Sequence, residues 1–195
     1  MLDPLPISLS PPSTRAPRPS RATPVRAPRL PATSLPRGLD ALFATLDAAP
    51  RLTERVIGAA LDTVVLSSAD AVGLAPFDVA AYGRTRLRVT DRYEVLILTW
   101  LPGQVSAPHD HDGSCSGVRV VAGVLLETMF SLGDDGLVDA RERRRFPAGE
   151  TTVGDDATIH MLAPSGGALV TLHVYAPRAE RFTVYVARSG EVSRG

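Results

Sequence analysis

Hydrophobic and polar residues follow one rhythm before Tyr82 and another after it. In "GLDALFATLDAA", residues 38–49, Leu39, Leu42, Phe43 and Leu46 recur at helical spacing, and Pro50 closes the segment. "RLTERVIGAALDTVVLSS", residues 51–68, continues through Val56, Ile57, Ala60, Leu61, Val64 and Val65, which predicts a second helix. A third, short helix is expected near Asp78–Tyr82. Beyond Tyr82 the interval falls to two. "RTRLRVT" sets Leu87 and Val89 between arginines, and "EVLILTW" (94–100) is an apolar run suited to a buried strand. "GVRVVAG" and "VLLETMF" flank Gly123, where a hairpin turn is expected; "ETTV", "ATIHML", "ALVTLHVYAP" and "FTVYVA" follow. About eight short strands, preceded by helices and not interleaved with them, exclude a βαβ fold. They predict a mainly β domain, a β-barrel with an N-terminal helical cover.

Composition adds an extension to this picture. The 195 residues are 44% hydrophobic with a mean hydropathy of +0.06, enough for a core. No apolar run reaches the roughly 18 residues of a membrane span. Arginines number 21 against 21 acidic residues, with no lysine, and a net charge of zero argues against nucleic-acid binding. The neutrality hides a division. Residues 4–38 hold six arginines, ten prolines and no acidic residue, which leaves the rest mildly acidic. A segment so rich in Pro, Ser and Arg buries too little apolar surface to offset its ordering entropy. Residues 1–37 are therefore expected as a disordered extension, and 38–195 as a single domain with helices over about 38–82 and the barrel over about 83–190. The extension lacks the apolar core of a secretory signal, and its prolines oppose the amphipathic helix of a transit peptide. One cysteine excludes an internal disulfide and suits a reducing cytosol, so a cytoplasmic monomer is expected.

The candidate chemistry lies in the histidines, all four of which fall in the β half. His109 and His111 stand one residue apart in "APHDHDGSCSG". Residues i and i+2 of an extended strand face one side, so both rings are expected to enter the barrel with Asp110 turned away. A bare pair of this kind is as readily an exposed turn. His160 in "ATIHMLAP" and His173 in "ALVTLHVYAP" change that reading, because an unpartnered imidazole is costly to bury in an apolar stretch. Alone, His160 reads as a satisfied core histidine; with the pair, it reads as part of a site. Thr171, His173 and Tyr175 share one face of their strand by the same period.

The spacing also carries a resemblance. Gly103, His109-x-His111, Ser116 and Gly123 stand at the intervals of the first cupin motif, and "GDDATIHMLAP" keeps the histidine of the second, His160, without the usual preceding proline-glycine pair. "WLPGQVSAPHDHDGS", "VRVVAGVLLETMF", "IHML" and "LVTLHVYAP" resemble, in order, the cysteine dioxygenases and their thiol dioxygenase relatives, from about Tyr82 to Pro177. The resemblance implies a cupin-type barrel, a small jelly roll, with one Fe(II) per chain held by His109, His111 and His160. It implies oxidation of L-cysteine by O2 to cysteine sulfinate, with no nucleic-acid or membrane partner. Thr171, His173 and Tyr175 would form a hydroxyl–imidazole–phenol relay beside the iron. Arg84 would grip the substrate carboxylate with support from Tyr82; Arg86 and Arg88 share its period, so Arg84 and Arg86 both stay open for that role.

Two positions depart from the pattern. Ser116 stands where the cupin motif usually has glutamate, and where animal members carry a cysteine linked to the active-site tyrosine, so no thioether to Tyr175 is expected. Cys115 is expected on the opposite face. Met161 replaces an arginine of the animal enzymes, which bears on substrate range. The alternatives are a dioxygenase for another small thiol carboxylate such as 3-mercaptopropionate, a non-catalytic metal-binding cupin, and a three-histidine zinc hydrolase, for which no general base is evident.

Overall fold

The computed structural model describes residues 19–22 and 35–188; most of the expected extension, and residues 189–195, lie outside the described residues. Within the extension, Ser20–Ala22 forms a short strand, β1, where disorder was expected. Helices α1 (Asp40–Ala48), α2 (Glu54–Asp62) and α3 (Ser68–Leu74) follow. The chain then turns to β structure: β2 (Gly83–Val89), β3 (Glu94–Trp100), β4 (Cys115–Ala122), β5 (Val124–Leu132), β6 (Leu137–Pro147) and β7 (Thr151–Gly154). After these come β8 (Ile159–Pro164), β9 (Leu169–Ala176), β10 (Phe182–Val184) and β11 (Val186–Ala187). One sheet has the order β2-β3-β9-β4-β7, the other β11-β6-β5-β8, and β1 pairs with β10. No helix among the described residues is long and apolar enough to cross a membrane.

The five-stranded sheet is covered on both faces, which is why β3 and β9 are buried at every position. Val95, Ile97, Val170, Leu172 and Val174 point outward and pack under Leu42, Leu46, Ile57 and Leu61 of the helices. A Cβ on Gly117 would stand 2.5 Å from Ile57 and 2.7 Å from Leu61, so the missing side chain lets α2 lie directly on β4. The alternate positions, among them Leu96, Leu98, Trp100, Val118 and Tyr175, face the second sheet and meet Leu125 and Leu162 from it. Each fully buried side chain of this kind contributes about 1.5–3 kcal/mol.

Four expectations need correction. The second helix stops at Asp62 and leaves Val65 80% exposed; Ser67 then caps α3, accepting from the Asp70 N–H, so a polar cap divides what the apolar spacing joined. No helix forms at 78–82, where Asp78 instead accepts from the Ala80 N–H in a local turn. Gly123 does not close a hairpin, because β4 and β5 belong to different sheets; at φ +82° it turns the corner between them. Strand β6 pairs along the length of β5 yet went unpredicted, since its run of Arg and Glu faces solvent and hides the alternation.

Candidate metal centre

His160 enters the barrel from β8, and His109 is bound to it backbone to backbone. The His109 N–H donates to the His160 carbonyl at 2.9 Å, and the reverse bond is 3.0 Å. The His109–His111 stretch is not a regular strand, as expected, but irregular extended chain bridged to His160 and to Val184. Asp110 does turn away, and it anchors the stretch. Its carboxylate accepts from the Tyr185 hydroxyl at 2.6 Å and from the backbone N–H groups of Asp112 and Thr183. The two rings are thereby brought to His160: ring centroids are 5.2, 4.9 and 5.0 Å apart, and one ligand atom from each histidine lies within 4.8 Å of the others.

Their donor set suits a divalent ion. His109 Nδ1 lies 2.8 Å from the Ala107 carbonyl and His160 Nδ1 lies 2.7 Å from the Glu127 carboxylate, so both present Nε2 inward. Among the described residues, His160 Nε2 and both ring nitrogens of His111 are buried without partners. Leaving such groups unmade costs about 1–3 kcal/mol each, and one ion at the centre of the triangle would give a partner to His160 Nε2 and to one nitrogen of His111. Burial, with the neighbouring His160, pushes His109 down to about 3 and His111 well below its ordinary value, which keeps these rings in the neutral, ligating form. Ser116 is not among the ligand group; it is buried on β4 opposite Tyr175 in the register.

A second polar array lines the wall beside the triangle. Thr171, His173 and Tyr175 face inward from β9 and are bonded in series: Thr171 Oγ1 to His173 Nε2 at 2.8 Å, His173 Nδ1 to the Tyr175 hydroxyl at 3.1 Å. Trp100 begins the series by donating its indole N–H to Thr171 Oγ1 at 3.0 Å. An indole can only donate, so the buried threonine hydroxyl accepts there while sharing a second bond with His173 Nε2. His173 is held neutral by burial, and in the tautomer protonated on Nδ1 it donates to the Tyr175 oxygen. The phenol proton is left free to point away from β9. Burial pushes the phenol well above its ordinary range, so that proton stays in place.

Aromatic rings and arginines complete the surroundings. The Phe182 ring from β10 lies 5.4 Å from His109, 5.7 Å from His111 and 6.1 Å from Tyr175. The Arg84 guanidinium sits 5.5 Å from the Phe182 ring, and its Nη2 is buried without a partner. Arg86 pairs with Glu94 at 3.1 Å and is thus committed, which separates the two arginines that the strand period left equivalent. Tyr82 stacks on Trp100 with centroids 4.2 Å apart. Cys115 packs on the helical side, away from this region. A charged surface cavity of about 360 Å³ borders Asp112 and Ser114, but none of the three histidines lines it.

Sequence reasoning missed Glu127, Asp110, Trp100 and Phe182. Glu127 left a signal: it is an acid at period two from Leu125 in a strand with no other charged residue. Burial alone would raise its carboxyl, yet the bonds from His160 and Thr152 and the charge of Arg144 bring it below its ordinary range.

The family model described as cysteine dioxygenase type I matches residues 59–188, two-thirds of the chain. Among solved structures, a conserved protein with a double-stranded β-helix domain from Klebsiella pneumoniae subsp. pneumoniae is 20% identical, with a TM-score of 0.50 over 62% of this chain and 90% of that one. An RmlC-like cupin family protein from Methanocaldococcus jannaschii is 15% identical, with a TM-score of 0.41 over 53% of this chain and 88% of that one. At 20% identity the likeness to the Klebsiella protein is one of fold, a double-stranded β-helix.

Proposed function

Because the chain belongs to the cysteine dioxygenase type I family, we propose that it is an Fe(II)-dependent thiol dioxygenase that oxidises L-cysteine with O2 to cysteine sulfinate. The observation that carries this reading is the convergence of bare imidazole nitrogens, a protonated phenol and an unpartnered arginine nitrogen, Arg84 Nη2, around one place in the barrel. His109, His111 and His160 would hold one ferrous ion per chain. When bound, the iron supplies the redox-active centre at which a thiolate and dioxygen react. Both oxygen atoms end on sulfur, R–SH and O2 giving R–SO2H, so the balance requires no external reductant.

The chain's own residues do the rest. Arg84 is half-buried and its Nη2 is buried without a partner among the described residues; its guanidinium fork matches a carboxylate with two parallel hydrogen bonds and would fix one end of the substrate. With His173 protonated on Nδ1 and donating to the phenol oxygen, Tyr175 holds its own proton toward the same space. That proton is available to a developing negative charge on substrate or oxygen, and the series from Trp100 keeps it aimed. Phe182 covers the histidines with an apolar ring and limits water. A metal-binding module without chemistry has no use for so fully satisfied a relay.

Oxygen uptake by the Fe(II)-loaded chain, with L-cysteine and with 3-mercaptopropionate, tests the reading. Faster uptake with cysteine and a sulfinate product two oxygen atoms heavier are expected. Uptake with 3-mercaptopropionate alone would replace the substrate and keep the reaction class; uptake with neither thiol would remove the function.

A further inference from the structure

The carboxylate of Glu127 has no part in the reaction as derived above, yet it is built into the wall behind His160. On β5 it lies two residues from Met129, the register partner of His160, so the two side chains are diagonal neighbours. Oε1 stands 2.7 Å from His160 Nδ1, and Oε2 accepts from the Thr152 hydroxyl on β7 at 3.0 Å. Arg144 on β6 places a guanidinium nitrogen 3.6 Å from Oε2. Glu127 is 2% exposed, and an isolated carboxylate at that depth costs several kcal/mol. Three neighbouring strands therefore each supply a partner that offsets the cost.

Resting on the metal-centre reading, we infer that Glu127 is a positioning residue for the ion. By accepting the Nδ1 proton of His160 it fixes the tautomer that presents Nε2, and its negative charge makes that nitrogen the most basic of the three ligands. The contrast within the triangle carries the argument. A neutral imidazole can place its proton on either nitrogen, and an ionised carboxylate, which only accepts, removes the choice. His109 receives the same service from a neutral acceptor, the Ala107 carbonyl at 2.8 Å, and neither ring nitrogen of His111 has a partner. The three ligands are thus backed unequally: one by a charge, one by a carbonyl dipole, one by nothing.

The test is metal affinity of the full chain, read by competition between Co(II)-loaded protein and a chromophoric chelator, with no turnover involved. Glu127→Gln keeps the shape and an oxygen for the Nδ1 proton but removes the charge, and it is expected to weaken Co(II) binding about 10–100-fold. Thr152→Val leaves the charge and removes one hydrogen bond to it, so a smaller loss is expected. Equal affinity of the unaltered chain and Glu127→Gln would overturn the inference and leave the metal centre standing. Failure of the unaltered chain to bind Co(II) would overturn the metal-centre reading itself, and the inference with it. If Glu127→Gln does not fold, the unaltered protein decides. With Co(II) bound, the His160 Nδ1 proton, shielded by Glu127, is expected as a hyperfine-shifted line that persists in D2O; immediate loss of that line contradicts the inference.

Discussion

The two walls that meet at the candidate centre are built on opposite terms. On β9, Thr171, His173 and Tyr175 come from a regular strand, paired on both sides and buried at every position, and each polar atom of the relay has a partner. Across from it, His109 and His111 lie on irregular chain and His160 on β8, and three of their ring nitrogens have no partner among the described residues. One wall is complete as folded. The other is complete only with an ion in it. The relay should therefore be dispensable for metal binding, and the triangle should gain stability from metal, while turnover needs both.

The largest expected effect separates the walls by chemistry. Tyr175→Phe removes the donated proton and should lower turnover by about 10²–10⁴-fold, the usual contribution of a placed proton donor, while Fe(II) content stays as in the unaltered chain. Loss of iron in this variant would merge the two walls into one unit. Next comes metal-linked stability. Co(II) or Fe(II) at about 1,000 times its dissociation constant should add roughly 4 kcal/mol and raise the Tm by about 8–16 °C. His111→Ala should abolish that shift, and Tyr175→Phe should keep it; calorimetry reads both.

Acid sharpens the comparison from another side. The folded values of His109, His111 and His173 are lowered by burial. Below the unfolded value of about 6.5, the unfolded chain takes up protons that the folded chain refuses, so metal-free stability should fall as pH drops. Each histidine contributes up to about 1.4 kcal/mol per pH unit through that window, and nothing above it. Denaturant midpoints at pH 7, 6 and 5 measure the slope; a flat profile counts against buried neutral rings. The smallest effect belongs to Trp100. Trp100→Phe keeps a ring against Tyr82 but leaves Thr171 without its donor, costing about 1–2 kcal/mol of stability. Turnover should drop by roughly tenfold, corresponding to a similar loss in aiming the phenol, with metal affinity unchanged.

The regular wall was readable in the sequence and the irregular one only in part, for a physical reason. Strand period alone puts Thr171, His173 and Tyr175 on one face, because β9 is a straight strand with no bulge inside that triplet. His109 and His111 were also legible, since a two-residue repeat survives in any extended chain, regular or not. What closes the triangle is tertiary: backbone bonds to His160 and an anchoring Asp110 that looks like any loop acid. Arg84 and Arg86 are identical by period and differ only because Glu94 claims one of them. Glu127 and strand β6 share a further cause. Charged residues in a strand read as solvent-facing, which is right for most of β6 and wrong for a carboxylate whose partners come from three other strands. Gly123 shows the same limit in the backbone, since positive φ serves a hairpin and a corner alike.

The most direct test is an anaerobic titration of the full chain with Fe(II), repeated with His160→Ala. The three-histidine account predicts one tightly held ion per unaltered chain and loss of that site in the variant. Equal, tight uptake by both proteins would mean that the ion sits elsewhere and that the triangle is not its home.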